Sequence, residues 1–230
     1  MKILLLGAGK TGCLVAEVAR ERGHELETVR SADNREASAL SCEKLGSIDV
    51  VIDFTTPHCV RGHIDAVVRA RKNMIVGTTG WYADIPTVRA EVEKYQTGFV
   101  FGSNFSIGVN LFFDLVRAAA PAIAHGYHAH LYERHHAQKK DAPSGTALII
   151  ERLLEQISGA EIEITSFREG EVVGMHELVF DSAHDTIYLC HDAKSRRGFA
   201  QGAVRAAEWL HGKQGFFDFK EIWHDMSIAS

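Results

Sequence analysis

The chain has 230 residues, of which 46% are hydrophobic and 24% charged, with a formal net charge of −5. That length makes one large domain or two small ones, with enough chain to bury a sizeable core. The mild acidity lacks the basic excess of a nucleic-acid binder, yet a local basic pocket for a small anion remains compatible with it.

No apolar run reads as long enough to span a membrane. The opening "MKILLLGAGK" turns through glycines too soon for a signal peptide and reads as a buried strand, so a cytoplasmic protein with no nucleic-acid or membrane partner is expected. Cys13, Cys42, Cys59 and Cys190 are scattered, with no C-x-x-C pair, and are expected to be reduced structural thiols.

In chain order, residues 2–6 predict a strand ended by Gly7. A helix follows from Thr11 to Arg22, with Leu14, Val15, Val18 and Ala19 on one face, closed by Gly23. Residues 25–29 suit a second strand, and 35–45 are weakly helical. Asp49 to Phe54 is a β-branched run, hence a buried strand. Residues 58–71 and 84–95 predict helices around a strand at Asn73 to Val76, and Phe99 to Phe101 is a strand again. Strand alternating with helix means a parallel, doubly wound sheet of Rossmann type with right-handed crossovers.

Near residue 105 the rhythm changes. A long apolar helix (Val109 to Ala120) precedes a strand at His128 to Glu133, a helix at Ser144 to Ile157, and three strand-like runs at 161–167, 172–180 and 185–191. Strands in succession imply an α+β domain with an open mixed sheet. A helix at Ala200 to Leu210 and a short tail end the chain. We expect a dinucleotide-binding domain at 1–104, a substrate and oligomerisation domain at 105–199, and a tail from about residue 200 that packs back on the first.

The turn "GAGKTG" (Gly7, Ala8, Gly9, Lys10, Thr11, Gly12) is G-x-G-x-x-G between a strand and a helix, the setting of a dinucleotide site. Gly7 permits the tight turn, Gly9 lets a pyrophosphate approach the backbone, and Gly12 lets the helix pack on the strand. The helix N-terminus then offers unpaired N–H groups to phosphate. The predicted second strand ends at Arg30, with Asp33 beyond it, and Lys10 lies inside the turn. Two cations beside the adenosine ribose suit a 2′-phosphate, a lean towards NADPH over NADH. Three later strand ends carry short polar residues: "DFTTP" (53–57), "GTTG" (77–80) and "GSNFSIGVN" (102–110).

"ERHHAQKKDAPSGTA" (133–147) concentrates titratable groups before a helix. Pro143 suits that helix's first turn, and Ala147, Ile150, Leu154 and Ile157 read as its buried face. The amides of Ser144, Gly145 and Thr146 would crown its N-terminus and seat an anion. His135, His136 and Lys139 supply cations and transferable protons. Adjacent histidines on a strand point to opposite faces, and no third ligand stands at metal spacing, so no metal is expected.

The stretch resembles the dihydrodipicolinate reductase signature E-x-H-H-x-x-K-x-D-x-P-S-G-T-A at every fixed position. The likeness extends through the glycine turn, "DFTTP", "GTTG", "SNFSIGVN", "GEVVGMHELVF" and "SRRGFAQGAVRAAEWL" to essentially the whole chain. The resemblance implies an NAD(P)H-dependent reduction of a cyclic dicarboxylate, 4-hydroxy-tetrahydrodipicolinate by way of dihydrodipicolinate, in diaminopimelate and lysine biosynthesis. It implies His135 and Lys139 as the catalytic pair, with Lys139 the proton donor, and His136, Ser144, Gly145 and Thr146 as substrate contacts. Gly7 to Gly12, Arg30, Phe54, Gly77, Thr78, Thr79, Gly102, Ser103, Asn104, Phe105 and Arg196 would hold NADPH or NADH. It also implies a homotetramer built through the mixed sheet. The glycine turn is one residue shorter than the family's and has Thr11 where Met is common, and the chain is trimmed between Arg30 and Ile48. The alternatives are another two-domain NAD(P)-dependent dehydrogenase, or a non-catalytic nicotinamide-nucleotide sensor.

Overall fold

Six strands form one all-parallel sheet in the computed structural model, which describes residues 1–30, 34 and 37–226. They are β1 (Lys2–Leu6), β2 (Glu25–Val29), β3 (Val50–Asp53), β4 (Asn73–Val76), β5 (Gly98–Phe101) and β10 (Gly215–Asp218), in the order β10-β5-β4-β3-β1-β2. The order reverses at β1, between β2 and β3, which is where an open parallel sheet leaves a crevice for a ligand. Pairing sets Leu6 beside Asp53, Asp53 beside Val76, and Val76 beside Phe101, so four strands end on one rim.

Both faces of this sheet are covered, which is why its central strands β1, β3, β4 and β5 read as short apolar runs, whereas the edge strand β2 (Glu-Leu-Glu-Thr-Val) does not. Ile3, Leu5, Ile52 and Val100 point to one side, with Val15, Val18 and Ala19 of α1 (Lys10–Glu21). Leu4, Val51, Met74 and Phe99 point to the other, with the buried stripes of α3 (Pro57–Arg69) and α4 (Ile85–Tyr95) and Leu45 of α2 (Cys42–Gly46). This layer comprises Met1–Ile107 and Arg197–Ser230, one compact unit of the chain. Helix α7 (Arg197–Leu210) packs on α1, and α8 (Phe219–Ile222) adds Phe219 to the same core. The tail therefore supplies a sixth strand as well as a helix. Its run Gly-Phe-Phe-Asp is too short to stand out in the sequence, and it pairs with Gly98–Phe101.

Gly108–Arg196 forms the second unit. Strands β6 (His128–His135), β7 (Glu163–Arg168), β8 (Met175–Asp181) and β9 (Thr186–Asp192) lie in the order β7-β6-β8-β9. β6 and β7 are parallel, and the other pairs antiparallel. Leu131, Leu178 and Phe180 meet α5 (Ile107–Ala119) and α6 (Gly145–Ser158) in a single core. The mixed sheet is as expected, and its other face carries Phe167, 38% exposed, and Tyr188, 65% exposed.

Four sequence expectations need correction. The segment Ile107–His125 is 19 residues with a mean hydropathy of 1.5, long and apolar enough by length and composition to cross a membrane. Its Val109, Phe112, Phe113 and Val116 instead fill the second unit's core. Pro143 stands outside α6, because Ser144 caps the helix and Gly145 begins it. Ile157 is 46% exposed, and the buried stripe of α6 is Ala147, Ile150 and Leu154. The cysteines are free, and Cys13, Cys42 and Cys190 lie at the surface rather than serving in the core.

Candidate active site

The glycine turn follows β1 directly. Gly7 has φ +101°, and a Cβ there would lie 2.2 Å from the Phe54 carbonyl oxygen. A Cβ on Gly12 would lie 2.2 Å from the Gly7 carbonyl oxygen, whereas one on Gly9 would meet nothing within 4 Å. The first and third glycines thus close the turn on itself, and the second leaves its backbone open. α1 starts from Gly9 with no side-chain cap, so its first amides keep their capacity for an anion.

Beside the turn is a cleft of about 270 Å³ lined by Gly9, Lys10, Thr11, Gly12, Phe54, Thr55, Pro57, Gly77, Thr78 and Thr79. A Cβ on Gly77 would strike the Phe54 ring at 2.2 Å, so a side chain there would force that ring out of its present place. The structure therefore gathers the residues of three separate sequence stretches along the rim. These features fit a dinucleotide: an open backbone at Gly9, uncapped amides behind it, and a shaped cleft. Ala8 and Lys10 are exposed in the turn, and Arg30 is exposed just past β2. Asp33 lies outside the described residues.

Thr78 is buried, and its hydroxyl donates to Asp53 Oδ1 at 2.6 Å, so within this cleft it is Thr79 that faces outward. At the end of β5, Gly102 packs on Phe219, Ser103 is exposed, and Asn104 Oδ1 accepts the Ser106 N–H at 2.9 Å. Phe105 is a core residue whose ring meets Phe54 edge-on at 6.1 Å.

In the second unit, β6 alternates as a strand must, so Glu133 and His135 share the buried face. Glu133 is fully buried. Its Oε1 accepts from Arg168 at 2.6 Å and its Oε2 from His135 Nδ1. Burial pushes the Glu133 carboxyl up, but hydrogen bonds from Arg168, Ser166 and His135 outweigh this and hold it below the usual range. Burial lowers the His135 pKa, and Glu133 opposes that only in part. The geometry assigns a neutral imidazole with its proton on Nδ1 and a bare Nε2. That Nε2 faces Gly174, where a Cβ would lie 2.9 Å away.

His176 stands opposite Glu133 in the β6–β8 register. Burial, reinforced by His135, lowers its pKa to about 3. Ser144 Oγ accepts the Ala147 N–H, which leaves its own hydroxyl proton for His176 Nε2, 2.9 Å away. Donor atoms of Glu133, His135 and His176 lie within 4.8 Å of one another, a third-ligand arrangement that spacing does not reveal. Each of these side chains is already engaged in a hydrogen bond within the protein: Glu133 with Arg168 and His135, and His176 with Ser144.

Lys139 is half-buried, and Nζ donates to both Asp141 oxygens at 2.8 Å. The Lys139 hydrogen bond holds the Asp141 carboxyl below its usual range. His136 leaves the strand, and its Nε2 comes within 3.4 Å of Arg196. Arg196 is thereby drawn to a substrate candidate. Gly145 is exposed at the start of α6, and a Cβ there would meet nothing within 4 Å. Glu133, Arg168, Gly174 and His176 were not singled out from the sequence. For Glu133 the signal was present, since it is two residues from His135 on a strand.

Family models for the N-terminus and the C-terminus of dihydrodipicolinate reductase match residues 1–105 and 108–223. The 4-hydroxy-tetrahydrodipicolinate reductase of Christiangramia forsetii is 37% identical over 98% of this chain and 99% of its own length. The enzyme of that name from Neisseria meningitidis serogroup A is 38% identical over 77% of this chain and 73% of its own. Among solved structures, a dipicolinate-bound dihydrodipicolinate reductase from Paenisporosarcina sp. TG-14 superposes with a TM-score of 0.80. It covers 96% of this chain and 99% of its own, at 20% identity, and so shares the fold. With both halves matched and a relative this similar along its whole length, the chain belongs to the dihydrodipicolinate reductase family, nicotinamide-dependent reductases of diaminopimelate and lysine biosynthesis.

Proposed function

We propose that this chain reduces 4-hydroxy-tetrahydrodipicolinate, by way of the cyclic imine left after loss of water, to tetrahydrodipicolinate. Residues 1–104 serve the nucleotide, joined by the C-terminal tail, and 105–199 serve the substrate. The observation that carries the reading is the set at residues 133–146: a neutral imidazole oriented by a buried carboxylate, a lysine ammonium, and an open helix N-terminus.

The amides of Gly145 and Thr146 and the positive end of α6 take one substrate carboxylate, with His136 beside it. Ser144 keeps the helix end open by capping Ala147 with its own oxygen. A bound nicotinamide supplies a hydride to the unsaturated ring. Reduction of the ring would leave negative charge on it. The Lys139 ammonium stabilises it and delivers the balancing proton. His135, neutral and fixed by Glu133, presents Nε2 as the partner of that lysine in the proton transfer.

Gly7 to Gly12 would receive the cofactor pyrophosphate, and Phe54, Gly77 to Thr79 and Gly102 to Phe105 would shape the remainder of its seat, with Arg196 a further cofactor contact. Lys10 and Arg30 favour NADPH over NADH by pairing with a 2′-phosphate. The exposed apolar side chains Phe167 and Tyr188 on the open sheet support a homotetramer assembled through that face. The setting is cytoplasmic.

The test is oxidation of NADPH and of NADH, run in parallel, with substrate generated by a coupled dihydrodipicolinate synthase. Substrate-dependent oxidation is expected. Its absence with both nucleotides, in protein that binds them, would favour a nucleotide sensor. Lys139→Ala should keep nucleotide affinity and lose most turnover, and unchanged turnover would remove Lys139 from its role.

A further inference from the structure

Asp53 and His63 are buried, at 0% and 1% exposure, and the chemistry above uses neither. Asp53 ends β3 at the point where the strand order reverses. Its Oδ1 accepts from the Thr55 amide at 3.0 Å, the Thr55 hydroxyl at 2.7 Å and the Thr78 hydroxyl at 2.6 Å. Its Oδ2 lies 2.7 Å from His63 Nδ1, on α3.

The far side of the His63 ring meets Asn34, with Nε2 and Nδ2 2.9 Å apart. Asn34 Oδ1 accepts the Ala39 N–H at 2.9 Å, which fixes the direction of the amide and turns its NH₂ group towards the ring. His63 Nε2 must then accept, and the proton sits on Nδ1 towards Asp53. Trp81 Nε1 closes the same region by donating to the Thr78 carbonyl at 2.9 Å.

Burying this many polar groups is costly unless every one is satisfied, and apolar side chains would fill the volume without that demand. The array joins three places that a nucleotide crosses in a sheet of this order: the turn after β3, the turn after β4, and the chain beyond β2. We propose that Asp53, His63 and Asn34 are positioning residues for the cofactor. They set the 53–56 and 77–80 turns in their binding shape and tie them to the chain after β2 through a single histidine tautomer. The proposal rests on the nicotinamide-binding reading above, and it applies to NADH and NADPH alike because no member of the array is a cation that could read a 2′-phosphate.

The test uses the full chain and measures the Kd of each reduced nucleotide by fluorescence, alongside steady-state rates with the coupled substrate. His63→Leu should raise Kd for both nucleotides about tenfold, with kcat at saturating nucleotide within about threefold of the wild type. His63→Asn, whose amide can donate near the place of Nδ1, should recover much of that loss. Asn34→Ala should weaken binding in the wild type and add little in the His63→Leu background, as members of one array do. A long-range proton–nitrogen spectrum should show His63 Nε2 unprotonated.

An unchanged Kd in folded His63→Leu, full additivity with Asn34→Ala, or a protonated Nε2 would overturn the proposal. Should His63→Leu not fold, His63→Asn and Asn34→Ala carry the test, and wild-type affinity in both overturns it. Wild-type protein that binds neither nucleotide would instead refute the nicotinamide-binding reading, and the proposal with it.

Discussion

Replacing Glu133 with Gln changes one atom and should separate orientation from bulk. Glu133 is fully buried and holds both Arg168 and His135. An orphaned buried charge costs about 3–5 kcal/mol. Arg168 also donates to the Asp141 carbonyl at 2.6 Å and to the Phe167 carbonyl at 2.6 Å, so its charge stays solvated by the protein. The loss is then nearer that of one charge-assisted hydrogen bond, about 2–3 kcal/mol. Against a typical stability of about 5–15 kcal/mol the variant stays folded.

The effect on turnover follows from the new amide. With its oxygen kept on Arg168, its NH₂ group faces His135 Nδ1, and the imidazole proton must move to Nε2. A positioned acid–base group contributes about 10²–10⁴-fold. With Lys139 as the proposed proton donor, kcat should fall by the lower figure, about a hundredfold, with nucleotide Kd unchanged. Glu133 also raises the His135 pKa against burial. Its removal lowers that pKa further and moves the acid limb of the pH–rate profile to lower pH. The assays are steady-state kinetics from acid to neutral pH, with urea unfolding as the control. A folded Glu133→Gln with kcat/KM within about threefold of the wild type and an unmoved acid limb would refute the assigned tautomer.

Gly174→Ala places a Cβ 2.9 Å from His135 Nε2 and 3.2 Å from Cδ2. It should cost about tenfold or more in kcat through displacement of the ring, and normal turnover would show that the ring does not need its present seat. His176, held at a pKa of about 3 against an ordinary value of about 6.5, cannot follow the unfolded chain when that chain takes up a proton. Stability is therefore unaffected above about pH 7 and declines as pH falls below about 6.5, by up to about 1.4 kcal/mol per pH unit. His176→Gln should flatten that decline in urea midpoints, and parallel curves would contradict it. Arg30→Ala should weaken NADPH by about threefold to tenfold and leave NADH unchanged, as loss of one charge-assisted contact would. Equal effects on both nucleotides would remove Arg30 from the 2′-phosphate.

The alternation of strand and helix was legible because the central strands β1, β3, β4 and β5 are short apolar runs ending in glycine or a short polar residue. "GAGKTG" was legible because its glycines do separate physical work in one turn. What stayed hidden depended on pairing between distant segments. His176 lies in "GEVVGMHELVF", but only the β6–β8 register places it across from Glu133. Asp53, His63 and Asn34 fall on a strand, a helix and the chain beyond β2, at spacings of no periodicity. β10 is four residues whose partner is β5, so no local pattern could announce it.

The two buried carboxylate–histidine clusters share a construction. Asp53 holds His63, and Glu133 holds His135, each by Nδ1 and each from a buried carboxylate at or near the end of a strand. In both, the carboxylate fixes the tautomer and so decides that Nε2 is bare. What differs is the neighbour of Nε2. At His63 it is the Asn34 amide, which satisfies the nitrogen and removes it from chemistry. At His135 it is Gly174, which leaves room for the ring and supplies no side chain to occupy the nitrogen. An imidazole sealed on both sides can only hold its surroundings in place, whereas one sealed on a single side keeps a nitrogen for proton transfer. On the proposed reading, the same pair of residue types serves as a brace at His63 and as a working group at His135.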